Sequence, residues 1–326
     1  MTKLAPPLHY FPVSKNPFAF KTGLIKLDKT VNTQAQKIFQ IDSLWFEYHQ
    51  AKMQSRAEQL NKYVLSKRLT RAIENRACAY IINTLSQQYP EFFQYDIQGN
   101  TVTFSNHLSD EELIFDEDYH LQSTNKIVNP PYENLLDALC CQLQEDFSLI
   151  HITEQHDNLV YLHLCFPNYW AAEHKIGKCF AGAHQFVPAM EGINKKADKL
   201  NKLLKSEGPF ERFTWGITTD RRLNHHPKAP DGESEKEWYG RNIDETSPLY
   251  LRVERQVTTP FNRESAYLFS IRTYFVDLSH EPKDNLEILI QSIQSMPEDI
   301  LKYKGIHQQK DLLSKRLHAL ALSPKP

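Results

Sequence analysis

LYLRVERQVTTPFNRESAYLFSIRTYFVDL, residues 249–278, decides the fold class. Two runs rich in β-branched and aromatic residues, 249–257 and 266–276, flank the stretch TTPFNRES. Runs of that composition read as strands, and a short intervening segment carrying Pro, Asn and Ser reads as a hairpin loop. The two strands are therefore expected to pair antiparallel. Alternation assigns their faces: Leu251, Val253, Arg255 and Val257 point one way, and Arg252, Glu254 and Gln256 the other. In the second strand Ser270, Arg272 and Tyr274 lie opposite Tyr267, Phe269, Ile271 and Phe275. A strand showing Arg-Glu-Gln on one face is either exposed or lines a polar pocket. Once the strands pair, Arg272 is expected to reach Glu254 or Arg252. That group is then either a binder of carboxylates, which guanidinium matches in bidentate fashion, or a structural ion-pair network.

Outward from this hairpin the pattern alternates between helix and strand. Phe213, Trp215 and Ile217 alternate with Thr214, Gly216 and Thr218, and Leu159–Cys165 is an apolar strand. Helical spacing predicts helices over 42–66, over Leu69–Gln88 (ended by Tyr89-Pro90), and over 189–205, 283–304 and 309–322. Leu135, Leu136, Leu139 and Leu143 predict an amphipathic helix over 132–149. Gly99-Asn100 suits a two-residue turn between strands 92–98 and 101–108. The polar, turn-rich stretch 221–247 reads as a mobile loop that exposes His225 and His226. Helices first, then strands with packed helices, predict an α+β fold with an antiparallel sheet. We read 1–326 as one domain: a helical part to about residue 90, a mixed core over about 91–306, and a helical tail over 307–326.

Composition excludes several function classes. The chain has 38 basic and 40 acidic residues, net charge −2, so no basic excess points to nucleic acid. No apolar run is long enough to span a membrane, and MTKLAPPLHYFPVSKNPF lacks the apolar core of a signal peptide. A cytoplasmic protein is the expectation. The five cysteines follow no Cys-x-x-Cys pattern, which argues for reduced buried thiols and against zinc fingers, iron–sulfur ligation and covalent haem. Only ten glycines occur, none in a phosphate-cradling motif, so a nicotinamide or P-loop site is not expected.

The segment LVYLHLCFPNYWAAEHKIGKCFAGAHQFVP, 159–188, carries the candidate chemistry. It breaks at Pro167 and holds His184 between a strand break and a helix start. A histidine so placed is either satisfied by backbone groups or presented to a ligand or metal. LCFPNYWAAEHKIGK (164–178) and AHQFVP (183–188) resemble the haem-dependent oxidative N-demethylase-like family. Residues 249–278, SMPEDILKYKG (295–305), FPVSKNPFAFKTGL (11–24) and QEDFSLI (144–150) are similar to the same family, so the resemblance spans roughly the first 306 residues in order.

The resemblance implies a PAS-like haem-binding core, a curved antiparallel sheet whose concave side holds non-covalent haem b. It further implies oxidative removal of a methyl group from a small amine with dioxygen, fed by external flavin and ferredoxin-type redox partners. On this reading His184 is the axial iron ligand; Cys179, His163 and His174 are its rivals. Arg212 and Trp215 match a family segment that usually reads Arg-x-Asn-Trp, but Thr214 stands where the asparagine is usual. Arg252, Glu254, Gln256 and Arg272 would position propionates or substrate, with Glu254 the anionic partner of an ammonium group. Two other readings remain: a non-catalytic haem or small-ligand binder acting as sensor or carrier, and a member without haem that serves as a structural or regulatory subunit.

Overall fold

The computed structural model describes residues 3–15, 18, 23–28, 30–31, 33–154, 157–183, 185, 187–188, 195 and 197–323. Its N-terminal part holds β1 (Ile25–Lys26), α1 (Trp45–Tyr63), β2 (Val64–Ser66) and α2 (Arg71–Gln88). Then come β3 (Phe93–Gln98), β4 (Thr101–Asn106), β5 (Glu111–Asp116), β6 (Leu121–Thr124), α3 (Leu135–Cys141), β7 (Asp146–Ile152) and β8 (Asp157–His163). The remainder is α4 (Phe180–Ala183), α5 (Ala197–Ser206), β9 (Phe210–Thr218), α6 (Glu235–Trp238), β10 (Tyr250–Phe261), β11 (Ala266–Asp277), α7 (Lys283–Gln294), α8 (Glu298–Tyr303) and α9 (Lys310–Leu322).

These strands form two antiparallel sheets, so the fold is α+β. The larger has the order β1-β9-β10-β11-β7-β8-β2 and the smaller β3-β4-β5-β6. The hairpin β10–β11 is the centre of the larger sheet, as its sequence predicts, but its loop is shorter than TTPFNRES: only 262–265 lie outside the strands. Pro260 is inside β10, beyond Thr258, where pairing to β9 stops. With a single neighbouring strand there, a missing N–H is tolerated. Gly99, with φ +61, starts the predicted turn between β3 and β4 and takes the left-handed conformation that a two-residue hairpin requires.

The helix expected over 132–149 is corrected to a seven-residue helix followed by strand β7. Asn134 Oδ1 accepts the Asp137 amide at 2.9 Å and starts the helix. After Cys141 the chain turns, and β7 pairs on both edges, with β11 and with β8. Leucine spacing cannot reveal that two strands wait to be bridged. Strands β5 and β6 carry no reading in the sequence. Helix 283–304 is two helices, α7 and α8, separated at Met296-Pro297. Of the helix expected over 189–205, the described part is α5; residues 189–194 and 196 lie outside the described residues.

Both faces of the large sheet are covered. One face buries Leu251, Val253, Tyr274 and Val276 against Leu286, Leu289 and Ile293 of α7 and against α8 and α9. Farther along, Val257, Leu268 and Leu149 pack against α2, α3 and the small sheet. Full burial of each such side chain stabilises the fold by about 1.5–3 kcal/mol, which is what holds the short helices in place.

Register corrects the expected position of Arg272. Cα partners share a face, and Arg272 is opposite Arg255, while Glu254 is opposite Thr273. Arg272 therefore points into the helix-covered core, away from Glu254 and Arg252. Its Nη2 pairs with Asp42 at 2.9 Å, and Arg255 Nε pairs with Glu211 at 2.8 Å. Two buried guanidinium groups on adjacent strands are tolerated because each has its own carboxylate. Among the described residues no helix is long and apolar enough to cross a membrane.

Candidate functional site

The other face of the large sheet is the floor of a cavity of about 600 Å³. One wall is α5, through Leu200 and Leu204; another is the segment from Asn168 to Ala183; α8 and Lys304 close a third side. The motif 159–188 and the hairpin 249–278 thus meet at one site.

Rows across the floor grade from apolar to polar. Tyr267, Ile150 and Leu159 are register partners and form an apolar row beneath α5. Thr258, Phe269, Ser148 and Leu162 make the next row, and Arg212, Gln256, Ile271 and Asp146 form the one after it, across four strands. Glu254, beside Thr214, belongs to the next row. The Glu254 carboxylate is 7% exposed and accepts three side-chain bonds: Asn168 Nδ2 on Oε1 at 2.9 Å, and Thr214 Oγ1 at 3.2 Å and Gln256 Nε2 at 3.0 Å on Oε2. Thr214, the departure from the family pattern, thus supplies a hydroxyl donor to this carboxylate.

Cations gather around it. Arg212, Arg241, Lys175, Lys178 and Lys304 line the cavity, against the three carboxylates of Asp146, Asp157 and Glu254. Among the described residues, the buried Nε atoms of Arg212 and Arg241 have no hydrogen-bond partner. Lys304 donates to the Trp215 carbonyl and sits 4.4 Å from the Trp215 ring centre. Burial pushes the Lys304 ammonium down to about 7; Arg241 lowers it further, and Glu254 works against both. Lys175, 4.1 Å over Trp170, is pushed down to about 8 by burial, with Glu254 again opposing. Basic side chains outnumber carboxylates in this lining, which favours an anion over a cation in the cavity.

Of the residues named from sequence, Glu254, Gln256, Arg212 and Trp215 line this cavity, as do Cys179 and His174. His184 lies outside the described residues; its neighbours Ala183 and Val187 line the cavity. Arg252 does not line it. Fully buried, it donates to the carbonyls of Leu223 (2.9 Å) and Phe166 (2.8 Å), and so ties two loops to the sheet. His163 is also elsewhere, in a group with Asp137 and Cys141 whose ligating atoms lie within 4.8 Å of one another. There it faces Asp137 Oδ1 at 3.3 Å, and Arg56 already pairs with that carboxylate. Burial pushes His163 down to about 4 despite Asp137, so it is neutral at pH 7.

The exposed loop expected over 221–247 is corrected as well. His225 and His226 are 1% and 2% exposed. His225 stacks on Tyr169 at 5.2 Å, its Nδ1 faces Arg252 Nη1 at 3.2 Å, and its Nε2 meets Asp220 Oδ1 at 2.9 Å. Arg252 can only donate, so Nδ1 accepts and the Nε2–H donates to Asp220. Gly240 completes this packing. With φ +64, an added Cβ would fall 2.6 Å from His225 Nε2 and 2.7 Å from Asp220 Oδ2. Gly240→Ala is expected to cost about 1–3 kcal/mol, read as a lower urea midpoint with an unchanged slope.

Sequence reading missed Arg241, Lys304, Asn168, Lys175 and Asp146, all of which line the cavity. Four of them lie inside the quoted motifs, but no spacing marks them as cavity residues. The family model described as "Haem-dependent oxidative N-demethylase, alpha subunit-like" matches residues 29–314.

Proposed function

Because the chain belongs to the haem-dependent oxidative N-demethylase, alpha subunit-like family, we propose that this cavity holds haem b and that the protein oxidatively removes a methyl group from a small amine. The observation that carries this reading is the graded cavity, with its unpartnered Arg212 and Arg241 Nε atoms at the polar side. Haem b is an apolar macrocycle with two carboxylates along one edge, and the donor set suits both parts. Ile150, Leu159 and Leu204 would cover the macrocycle, while Arg212, Arg241 and Lys304 would hold the propionates. His184 is the proposed iron ligand, with Cys179 and His174 as the rivals that line the cavity. We read the large sheet, with its cavity face, as the PAS-like element of the family.

When bound, haem supplies the activation of dioxygen needed to oxidise the methyl carbon. The chain's own contribution is binding and orientation. Among the described residues Glu254 Oε1 accepts a single bond, from Asn168, which leaves it room for an ammonium N–H of the substrate. Trp215 and Trp170 add aromatic walls to the cavity. This chain has neither a nucleotide-binding fingerprint nor iron–sulfur spacing, so electrons come from elsewhere; the family resemblance implies a separate flavin and ferredoxin-type partner. Four cysteines buried and unpaired suit a reducing, cytoplasmic setting.

The deciding experiment adds haem to the purified protein, records the oxidised and reduced absorption spectra, and then follows oxygen uptake and formaldehyde release with a panel of methylated amines. A Soret band with amine-dependent turnover is expected. A Soret band without turnover would favour the sensor or carrier reading, and a colourless protein would sink both. Haem affinity is also expected to depend on pH. Lys304 and Lys175 lose their charge as pH rises through about 7 and about 8, and a dianionic ligand binds the charged forms. Affinity is therefore expected to fall between about pH 6 and about pH 9, and a flat profile would remove these lysines from the propionate site.

A further inference from the structure

We propose that Asp146 is the catalytic acid of this cavity, carrying on Oδ2 the proton that the reduction of dioxygen consumes there. The inference rests on the N-demethylase reading and assigns a role that the reading leaves open.

Asp146 stands apart from the anion-binding side. It and Arg212 are the two ends of one row across the sheet, with Ile271 and Gln256 between them. Three strand spacings put their backbones about 14 Å apart. Both line the cavity, so Asp146 faces the same contents from the far side. The residue is 2% exposed.

Its contacts differ in kind from those of Glu254. Asp146 Oδ1 accepts the amides of Cys165 at 2.8 Å and Phe166 at 3.2 Å, and Oδ2 accepts the Phe166 amide at 3.0 Å. Among the described residues no side chain donates to it in a hydrogen bond or ion pair. The charged and titratable groups facing it are Lys52 from α1, Arg252 from β10 and the Cys165 thiol, two residues beyond β8. Lys52 Nζ donates to the carbonyls of Cys140 and Glu145, and Arg252 to those of Leu223 and Phe166, so neither cation is spent on this carboxylate. Burial, the largest influence, pushes the Asp146 carboxyl up to about 7 against the pull of Lys52, the two amides and Arg252. A carboxyl poised near neutrality gives up and regains a proton at little cost.

The reaction needs such a group. An N-methyl amine, dioxygen, two electrons and two protons become the demethylated amine, formaldehyde and water. The methyl carbon is oxidised, dioxygen is reduced, and the electrons arrive from the one-electron donor partner. The protons must reach a cavity floor on which Asp146 is 2% exposed. Asp146 holds one on Oδ2, which accepts one amide where Oδ1 accepts two. After transfer, the same amides stabilise the carboxylate until solvent protonates it again.

The test uses the wild type, Asp146→Asn and Asp146→Glu, each with and without haem. In the haem-free protein, infrared spectroscopy is expected to find a protonated carboxyl C=O band that titrates near neutrality, vanishes in Asp146→Asn and moves in Asp146→Glu. In the haem-loaded protein, Asp146→Asn is expected to keep the Soret band. Its formaldehyde yield per dioxygen should fall about tenfold or more, with hydrogen peroxide making up the balance, and Asp146→Glu should partly restore it. No neutral carboxyl band in an active, haem-loaded wild type would overturn the acid role alone. Wild-type coupling in Asp146→Asn would do the same and leave a carboxylate that merely fixes the chain break after β8. A wild type that takes up no haem would sink the parent reading, and this role with it, even with the infrared band present. Should Asp146→Asn fail to fold, the wild-type titration and the shifted band of Asp146→Glu decide the matter.

Discussion

Arg272→Ala is expected to lower the unfolding free energy by about 3–5 kcal/mol, enough to leave little folded protein in a chain of ordinary stability. Arg272 is fully buried and bound to Asp42 at 2.9 Å, with its guanidinium 3.7 Å over the Tyr48 ring. Asp42 is 1% exposed and also accepts Gln144 Nε2 at 3.0 Å and the Leu44 amide at 3.0 Å. Removing the guanidinium strands a carboxylate in the core beneath the sheet, and two neutral donors do not replace a cation there. Replacing both partners, as Asp42→Leu with Arg272→Met, is expected to cost far less than Arg272→Ala, because no buried charge is left alone. Urea unfolding of the singles and the double gives the coupling directly. The same variants separate a structural from a catalytic role. Folded Arg272→Met protein should retain its haem spectrum and turnover, since the side chain lies on the face away from the cavity. Loss of turnover with the stability intact would return Arg272 to the site.

The second large effect concerns haem itself. His184→Ala is expected to shift or abolish the Soret band, since an axial imidazole fixes both the iron's electronic state and its retention. Arg212→Ala should act differently. It leaves the iron ligand in place and removes one charged donor to a propionate, a loss of about 1.5–3 kcal/mol or roughly 10–100-fold in haem affinity. The pair is informative because the two losses have different signatures: one changes the spectrum, the other mainly the titration midpoint. An unchanged spectrum in His184→Ala, with a changed one in Cys179→Ala, would pass the ligand role to the thiolate. An unchanged midpoint in Arg212→Ala would mean that this guanidinium serves another anion, such as a carboxylate on the substrate.

Residue types and their spacing made much of this site legible. Glu254 and Gln256 were readable as a polar face of a strand, and the structure places both on the cavity floor. Arg252 obeys the same alternation, yet it grips the Leu223 and Phe166 carbonyls and does not line the cavity. Alternation names a face, but the loops that settle on that face decide which part of it stays open. His225 shows the reverse error. A polar, turn-rich sequence predicts exposure, but Arg252 and Asp220 satisfy both of its ring nitrogens, so it is buried at no hydrogen-bonding loss.

The sequence alone determined the hairpin 249–278, the helices around 45–88, the turn at Gly99 and the family, because each rests on local pattern: period-two or period-3.6 spacing, a turn residue, or a contiguous motif. Tertiary structure decided three things that local pattern does not encode. Strand β7 formed where leucine spacing continued a helix, because two neighbouring strands offered it ladder hydrogen bonds. Arg272 was placed opposite Arg255 and away from Glu254, because a four-residue loop sets the hairpin register. The cations Lys304 and Arg241 came to one cavity with Glu254, and Asp146 to its far side, from segments more than a hundred residues apart in the chain in the case of Asp146 and Glu254. Proximity of that kind is a property of the packed sheet and its covering loops, and no spacing along the chain records it.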